Sequence, residues 1–255
     1  MRWLGVLDLK TSHENRVKSI KENCVVYKLV GIETPLPLES IKELMEKFEN
    51  DKELVNRAKS EFTNYLIYKD SKLESDFKDE KKVLDISDKE TDDLNIYDFE
   101  LINDLGENFH KTMQYFGYLK EKVVPILVAD LKKAGDFEIN QDEIFNFRLI
   151  DYYASSKNFV SPRCSEHRDF STLTIIHSDN EGLEVEVNGD WKQLEVEVGG
   201  NLNVFVIFGI CSSIRSNDRI HAVKHRVVNR FGNSRRLSAV TFLTLSLFIL
   251  VLLRD

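Results

Sequence analysis

The sequence predicts an α+β protein, with a helical N-terminal layer laid over an antiparallel barrel or jelly-roll core. Three observations predict it. Apolar residues recur at helical spacing through much of the first half. From Ile144 onward the pattern changes to short β-rich runs separated by turn residues. Three of those later runs carry side chains whose chemistry requires them to meet, and strands converging on one point are what a small antiparallel barrel supplies.

Taken in order, Val6–Leu9 reads as a short strand. The segment 37–68 holds apolar positions at helical spacing through SIKELMEKF and LVNRAKSEF, which predicts an amphipathic helix pair. Residues 69–98 are dense in Lys, Asp, Glu and Ser and read as an exposed loop. The strongest helix runs from about Leu105 to Ala134, with Pro125 expected to bend it. Turn signals follow at Asn188-Gly189, Gly199-Gly200 and Asn217-Asp218. There is no internal repeat and no low-complexity tract, so 1–255 reads as a single domain. Residues 1–143 form its mainly helical part, 144–243 its jelly-roll core and 244–255 an atypical apolar tail.

Composition narrows the function. A chain of 255 residues, 42% hydrophobic and 31% charged, can bury a full core and has a soluble balance. Its net charge of −8 argues against a nucleic-acid surface, which needs clustered Lys and Arg, and leaves small molecules as the expected partners. Cys24, Cys164 and Cys211 are an odd count without CxxC spacing, as in a reduced, cytoplasmic protein. The start, MRWLGVLDLKTS, is broken by Asp8 and does not read as a signal peptide. The expected form is a monomer.

The chemistry lies in three groups. His167-Arg168-Asp169 opens the run HRDFSTLTII, His225 follows 58 residues after His167, and Arg236-Leu237-Ser238 begins 11 residues after His225. Two imidazoles and one carboxylate are the facial set that holds non-haem Fe(II) with positions left open. At i, i+2 on a strand, His167 and Asp169 would leave the same face. Arg236 and Ser238 would do likewise, presenting a guanidinium and a hydroxyl to one carboxylate. HRD also opens the protein-kinase catalytic loop, but that motif needs Asn where Thr174 stands, and neither DFG nor GxGxxG accompanies it. His13, His110, His177 and His221 are expected to be packing or surface residues. His221, four residues before His225, is its one rival as a ligand.

In order, HRDFSTLT, GLEV, NGDW, SNDRI, KHRV and RLS resemble the Fe(II)/2-oxoglutarate-dependent dioxygenases, most closely the isopenicillin N synthase-like branch, over about 150–243. The resemblance implies a double-stranded β-helix core, with Fe(II) on His167, Asp169 and His225. It also implies 2-oxoglutarate held by Arg236, Ser238 and Tyr153, with O2 as oxidant and ascorbate as reductant. Decarboxylation to succinate and CO2 would then drive hydroxylation, desaturation or ring closure of a small organic substrate. Two positions depart from the family: Asp151 stands where Asn is frequent, and Ser171 where Gly is usual. Phe208, Arg163 and Lys157 are weak substrate-contact candidates. Two other functions stay open. One is an Fe(II) oxidase without 2-oxoglutarate, in which the RxS pair grips the substrate's own carboxylate. The other is a non-catalytic β-barrel binding protein.

The run LSAVTFLTLSLFILVLL, residues 237–253, carries no charge, whereas a bilayer core asks for about 20 apolar residues. It reads as a last core strand with an apolar end, as a tail anchor, or as a departure from the Pro-containing segment and helix with which the family usually continues. The third is the expectation adopted.

Overall fold

The computed structural model describes residues 3–61, 66–70, 79–87, 99–138, 143–154, 162–200 and 202–245. Twelve strands form two sheets among these residues. In chain order they are β1 (Leu4–Asp8), β2 (Val26–Val30), β3 (Leu66–Asp70), β4 (Lys82–Ser87), β5 (Glu143–Tyr152) and β6 (Pro162–His167). There follow β7 (Leu173–Ser178), β8 (Leu183–Val187), β9 (Asp190–Gln193), β10 (Val204–Phe208), β11 (His225–Val228) and β12 (Arg236–Leu245). The large sheet has the order β1-β2-β10-β7-β12-β5-β4-β3, and the small sheet β6-β11-β8-β9. All pairs are antiparallel except β1 with β2.

Strand alternation divides the apolar residues between two cores. One face of the large sheet sends Ile150, Tyr152, Ile176, Phe205, Ile207 and Val240 toward the small sheet, where they join Cys164, Val185 and Val227. The opposite face sends Phe147, Leu149, Ile175, Val206, Leu237 and Ala239 against the helices. This is the jelly-roll core with its helical layer.

The helices are α1 (His13–Lys21), α2 (Leu38–Asn50), α3 (Lys52–Glu61), α4 (Phe99–Tyr118), α5 (Val124–Gly135) and a short α6 (Ile210–Arg215). In α2 the buried positions Ile41, Leu44, Met45 and Phe48 follow helical periodicity. The expected long helix is divided. Gly106, at φ 74°, kinks α4, and residues 119–123 form one π-helical turn just before Pro125 at the start of α5. Proline cannot donate an i−4 bond, and a π turn is one way a helix accommodates that.

Three expectations are corrected. The first half is less helical than its pattern suggested, because β2, β3 and β4 extend the large sheet alongside the expected first strand, here Leu4–Asp8. The charged stretch 69–98 is not simply an exposed loop. Lys82–Ser87 forms β4, with Lys82, Val83, Leu84 and Ile86 buried, while 71–78 and 88–98 lie outside the described residues. The strand bearing Arg236 runs through Leu245, so the first residues of the expected tail belong to the sheet, and 246–255 lie outside the described residues. No helix among the described residues is long and apolar enough to cross a membrane.

Candidate active site

Strand β6 ends at His167 and places its ring beside that of His225 on β11. The two residues are register partners, and their ring centroids are 4.3 Å apart. Asp169 is not on a strand. The chain leaves β6 after His167 and turns before β7 begins at Leu173, so the expected continuous HRDFSTLTII strand is broken where the carboxylate must swing inward. Asp169 Oδ1 lies 3.5 Å from His167 Nε2 and 3.9 Å from His225 Nε2. The three ligand atoms all lie within 4.8 Å of one another, and no other such group occurs among the described residues.

The surrounding bonds orient these groups for a cation. His167 Nδ1 lies 2.7 Å from the Ser165 carbonyl, and His225 Nδ1 lies 3.3 Å from that of Val223. Each Nδ1–H can donate to its carbonyl, leaving the Nε2 lone pair for metal. Asp169 Oδ2 accepts the Thr174 hydroxyl at 2.7 Å, and Thr174 in turn meets Ser171 Oγ at 2.7 Å. Ser171 therefore fits in place of glycine by joining the support of the carboxylate.

Electrostatics agree. Burial opposes the Asp169 charge, yet His167, His225 and Thr174 outweigh it and hold the carboxyl below its ordinary value. Burial lowers His225. His167 is also opposed by burial, but its bonds to Asp169 and Cys164 raise it to about 10. A bound cation would displace that proton. Hard carboxylate and borderline imidazole donors, three in number with one side left open, fit Fe(II).

Deeper in the barrel, Arg236 is 1% exposed. Its Nη1 donates to Ser238 Oγ at 2.5 Å and its Nε to the Asn180 carbonyl at 3.2 Å. Its Nη2 is buried without a partner, and no ion pair to Arg236 is found among the described residues. A buried cation with an idle donor is costly unless a ligand completes it. A carboxylate fits that need bidentately. Arg236 and Ser238 thus share the inner face, as their i, i+2 spacing predicts.

Tyr153 is placed differently from Arg236. Its ring lies under the Arg163 guanidinium at 5.2 Å and near Lys82 Nζ at 5.7 Å. Tyr152 is the register partner of Arg236, with its ring 5.2 Å from that guanidinium. The DYY run does not reveal which tyrosine turns inward; the pairing of β5 with β12 does. Asp151 faces the helices, where Arg235 binds both its oxygens at 2.8 and 2.9 Å and Lys82 lies at 3.7 Å. Its charge therefore points away from the Arg236 pocket.

Sequence reasoning missed a second group near the triad. Lys81 Nζ lies 3.0 Å from both Cys164 Sγ and Asp79 Oδ2. Burial pushes the Cys164 thiol up, but His167 and Lys81 outweigh it and bring it below its ordinary value. Among the weak substrate candidates, Phe208 packs on the helix side against Tyr27 and Arg163 is fully buried. Arg163 is also tied to the Tyr153 and Glu80 carbonyls, while Lys157 lies outside the described residues. His177 is buried against Tyr115, His13 binds Asp130, and His110 and His221 are exposed.

Comparison with known proteins gives the same picture. Residues 143–245 match the family model of the 2OG-Fe(II) oxygenase superfamily. A stretch of 78 residues, 30% of this chain, is 36% identical to the 2-oxoglutarate-Fe(II) type oxidoreductase ppzD of Metarhizium majus (strain ARSEF 297) and spans only 22% of that protein. The fold resembles a full-length Neurospora crassa protein solved in complex with alpha-KG, with TM-score 0.70 and 19% identity over 94% of this chain and 84% of that one. It also resembles the 2-oxoglutarate complex of dioxygenase for auxin oxidation 1 from Arabidopsis thaliana, with TM-score 0.71 and 18% identity over 96% and 94%. The matched segment, residues 143–245, contains all three candidate metal ligands and Arg236.

Proposed function

We propose that this chain is a non-haem Fe(II)- and 2-oxoglutarate-dependent oxygenase that oxidises a small organic substrate and releases succinate and CO2. The observation that carries this reading is the pairing of two incomplete sites in one barrel. A two-histidine, one-aspartate group lies at the mouth, and a buried arginine without a carboxylate partner lies deeper. His167, Asp169 and His225 would hold iron, and Arg236 with Ser238 would hold the distal carboxylate of the cosubstrate, with Tyr152 rather than Tyr153 beside it. Iron supplies O2 activation when bound.

The protein's own part is orientation and exclusion. Thr174 fixes the Asp169 carboxylate, the Ser165 and Val223 carbonyls fix the imidazoles, and Ile150, Ile176, Val185 and Val240 pack as an apolar cluster inside the same barrel. The Neurospora and auxin-dioxygenase neighbours are complexes with the same cosubstrate, which supports the reading. We further take the chain to act as one domain, as a monomer in the cytoplasm. Its three cysteines, none of them in a disulfide, are in keeping with a reducing compartment.

The test is an anaerobic titration of the Fe(II)-loaded chain with 2-oxoglutarate, following the visible charge-transfer band. A saturable band that weakens in Arg236→Ala is expected. Bound iron without a band would favour an oxidase that works without 2-oxoglutarate. A folded chain that takes up no iron would sink the enzyme reading.

A further inference from the structure

Lys81 and Cys164 are buried nucleophiles with no part in holding iron or 2-oxoglutarate. Lys81 is 7% exposed and Cys164 8%. They come from different sheets. Lys81 immediately precedes β4 of the large sheet, and Cys164 lies within β6 of the small one. Yet Lys81 Nζ stands 3.0 Å from Cys164 Sγ. The other two cysteines are placed differently: Cys211 gives its thiol proton to the Phe170 carbonyl, and Cys24 packs in the helix-side core.

The surrounding bonds impose this approach. Asp79 Oδ1 accepts the Ser165 N–H and the Ser165 hydroxyl, each at 2.9 Å. The Glu80 carbonyl accepts Arg163 Nη2 at 3.0 Å and Nε at 3.3 Å. Residues 79 and 80 are thus pinned to 163 and 165, on either side of Cys164. Asp79 Oδ2 then holds the Lys81 ammonium at 3.0 Å, which fixes a side chain that is otherwise flexible.

An amine and a thiol held in contact react with an effective concentration that free groups do not reach. Sulfur is the atom of the pair that oxidants attack first, and oxidised sulfur condenses with a neighbouring nucleophile. Cys164 also adjoins His167, the group to which the oxygenase reading brings O2.

We propose that Lys81 and Cys164 join covalently through one bridging oxygen, Nζ–O–Sγ, when the chain meets dioxygen. One O2 is consumed. One of its atoms forms the new N–O and O–S bonds, and the other leaves as water. The pair holds three hydrogens on nitrogen and sulfur; one stays on nitrogen and two go to that water. Nitrogen and sulfur are each oxidised by two electrons, and both atoms of O2 are reduced. The balance is the same whichever atom carries the shared proton. No step needs the metal, so the crosslink goes beyond the oxygenase reading and stands apart from it. A single oxygen suits the 3.0 Å gap, which a direct S–N bond would have to close. The bridge staples the lead-in of β4 to β6, the strand that ends in His167.

The experiment uses the full chain, purified under reductant and then moved to air-saturated buffer, metal-free and Fe(II)-loaded in parallel. Proteolysis and mass spectrometry should find the peptides bearing Lys81 and Cys164 joined, with one oxygen gained and two hydrogens lost. Dithiothreitol should separate them. The melting midpoint should rise by several degrees on crosslinking and return on reduction. Cys164→Ser and Lys81→Arg should each lose the joined peptide and the shift; if either fails to fold, the wild-type mass still decides. Separate peptides after oxygen exposure would overturn the crosslink. So would joined peptides without the added oxygen, or a Cys164 sulfinic acid beside an unmodified Lys81. A folded chain that crosslinks but takes up no iron would sink the oxygenase reading and leave the crosslink standing.

Discussion

Arg235 and Arg236 are neighbours in the chain and opposites in use. Arg235 faces the helical layer, where Asp151 takes both ends of its fork and Glu46 of α2 takes Nη1 at 2.6 Å. Every strong bond it makes ties β12 to β5 and α2. Arg236 faces the barrel, is sealed from solvent, and holds one donor idle. The same contrast separates the carboxylates. Asp151 is saturated by cations on the outer face, whereas Asp169 on the inner side keeps Oδ1 within reach of two imidazoles. Arg235 and Asp151 close on each other and hold the fold; Arg236 and Asp169 are left one partner short. A folded protein tolerates such deficits where a ligand is meant to supply the missing partner.

The comparison breaks first, and most completely, at Asp169. Asp169→Ala should abolish Fe(II) binding in a chain that still melts cooperatively, as read by metal content after anaerobic loading. Retained iron would mean that the carboxylate is ordinary polar packing. Next in size is Arg236→Ala. Losing one partner of a buried charge pair costs about 2–5 kcal/mol of binding, so 2-oxoglutarate affinity should collapse while thermal stability holds or rises. Arg235→Ala should do the reverse. It leaves the buried Asp151 charge with only Lys82 at 3.7 Å, so it should cost about 3 kcal/mol of stability and leave 2-oxoglutarate binding intact. If the two arginine variants behaved alike in both assays, the division between faces would be wrong. A finer probe is Thr174→Val, which removes the hydroxyl that orients Asp169. Loss of such support should weaken Fe(II) by about tenfold without touching the melting curve.

How much of this was legible in the sequence follows from the same division. The candidate triad and Arg236 could be singled out because each is an unusual residue at a fixed spacing inside a β-branched run, and a β-rich core from Ile144 onward could be read from its short runs and turn signals. β4 could not. Its segment KKVLDIS carries Lys82 toward the helices and Lys81 and Asp85 toward the barrel, so charges appear on both faces and the strand resembles a solvated loop. Only the partners, Glu49 and Asp151 outside, Asp79, Cys164 and Arg148 inside, make those charges tolerable, and they come from distant parts of the chain. Tyr152 and Tyr153 were indistinguishable for a related reason. A one-residue change of register exchanges the faces of a strand, and the register of β5 is set by β4 and β12, not by the DYY run itself.

The smallest expected effect is also the sharpest test of His167, because one proton should act in two directions. In the metal-free chain, desolvation opposes the His167 charge, but Asp169 and Cys164 raise it from 6.5 to about 10. A raised folded-state value means that the protonated ring stabilises the fold below pH 6.5 and that this contribution drains away as pH climbs through about 10. Metal requires the neutral ring, so the same proton competes with the cation across that window. Stability of the metal-free chain should therefore fall with rising pH while affinity for a divalent cation rises. Thermal melting and an anaerobic Co(II) titration at the two ends of the window would show the opposed slopes. Parallel slopes would mean that the proton on His167 and the cation do not share one site.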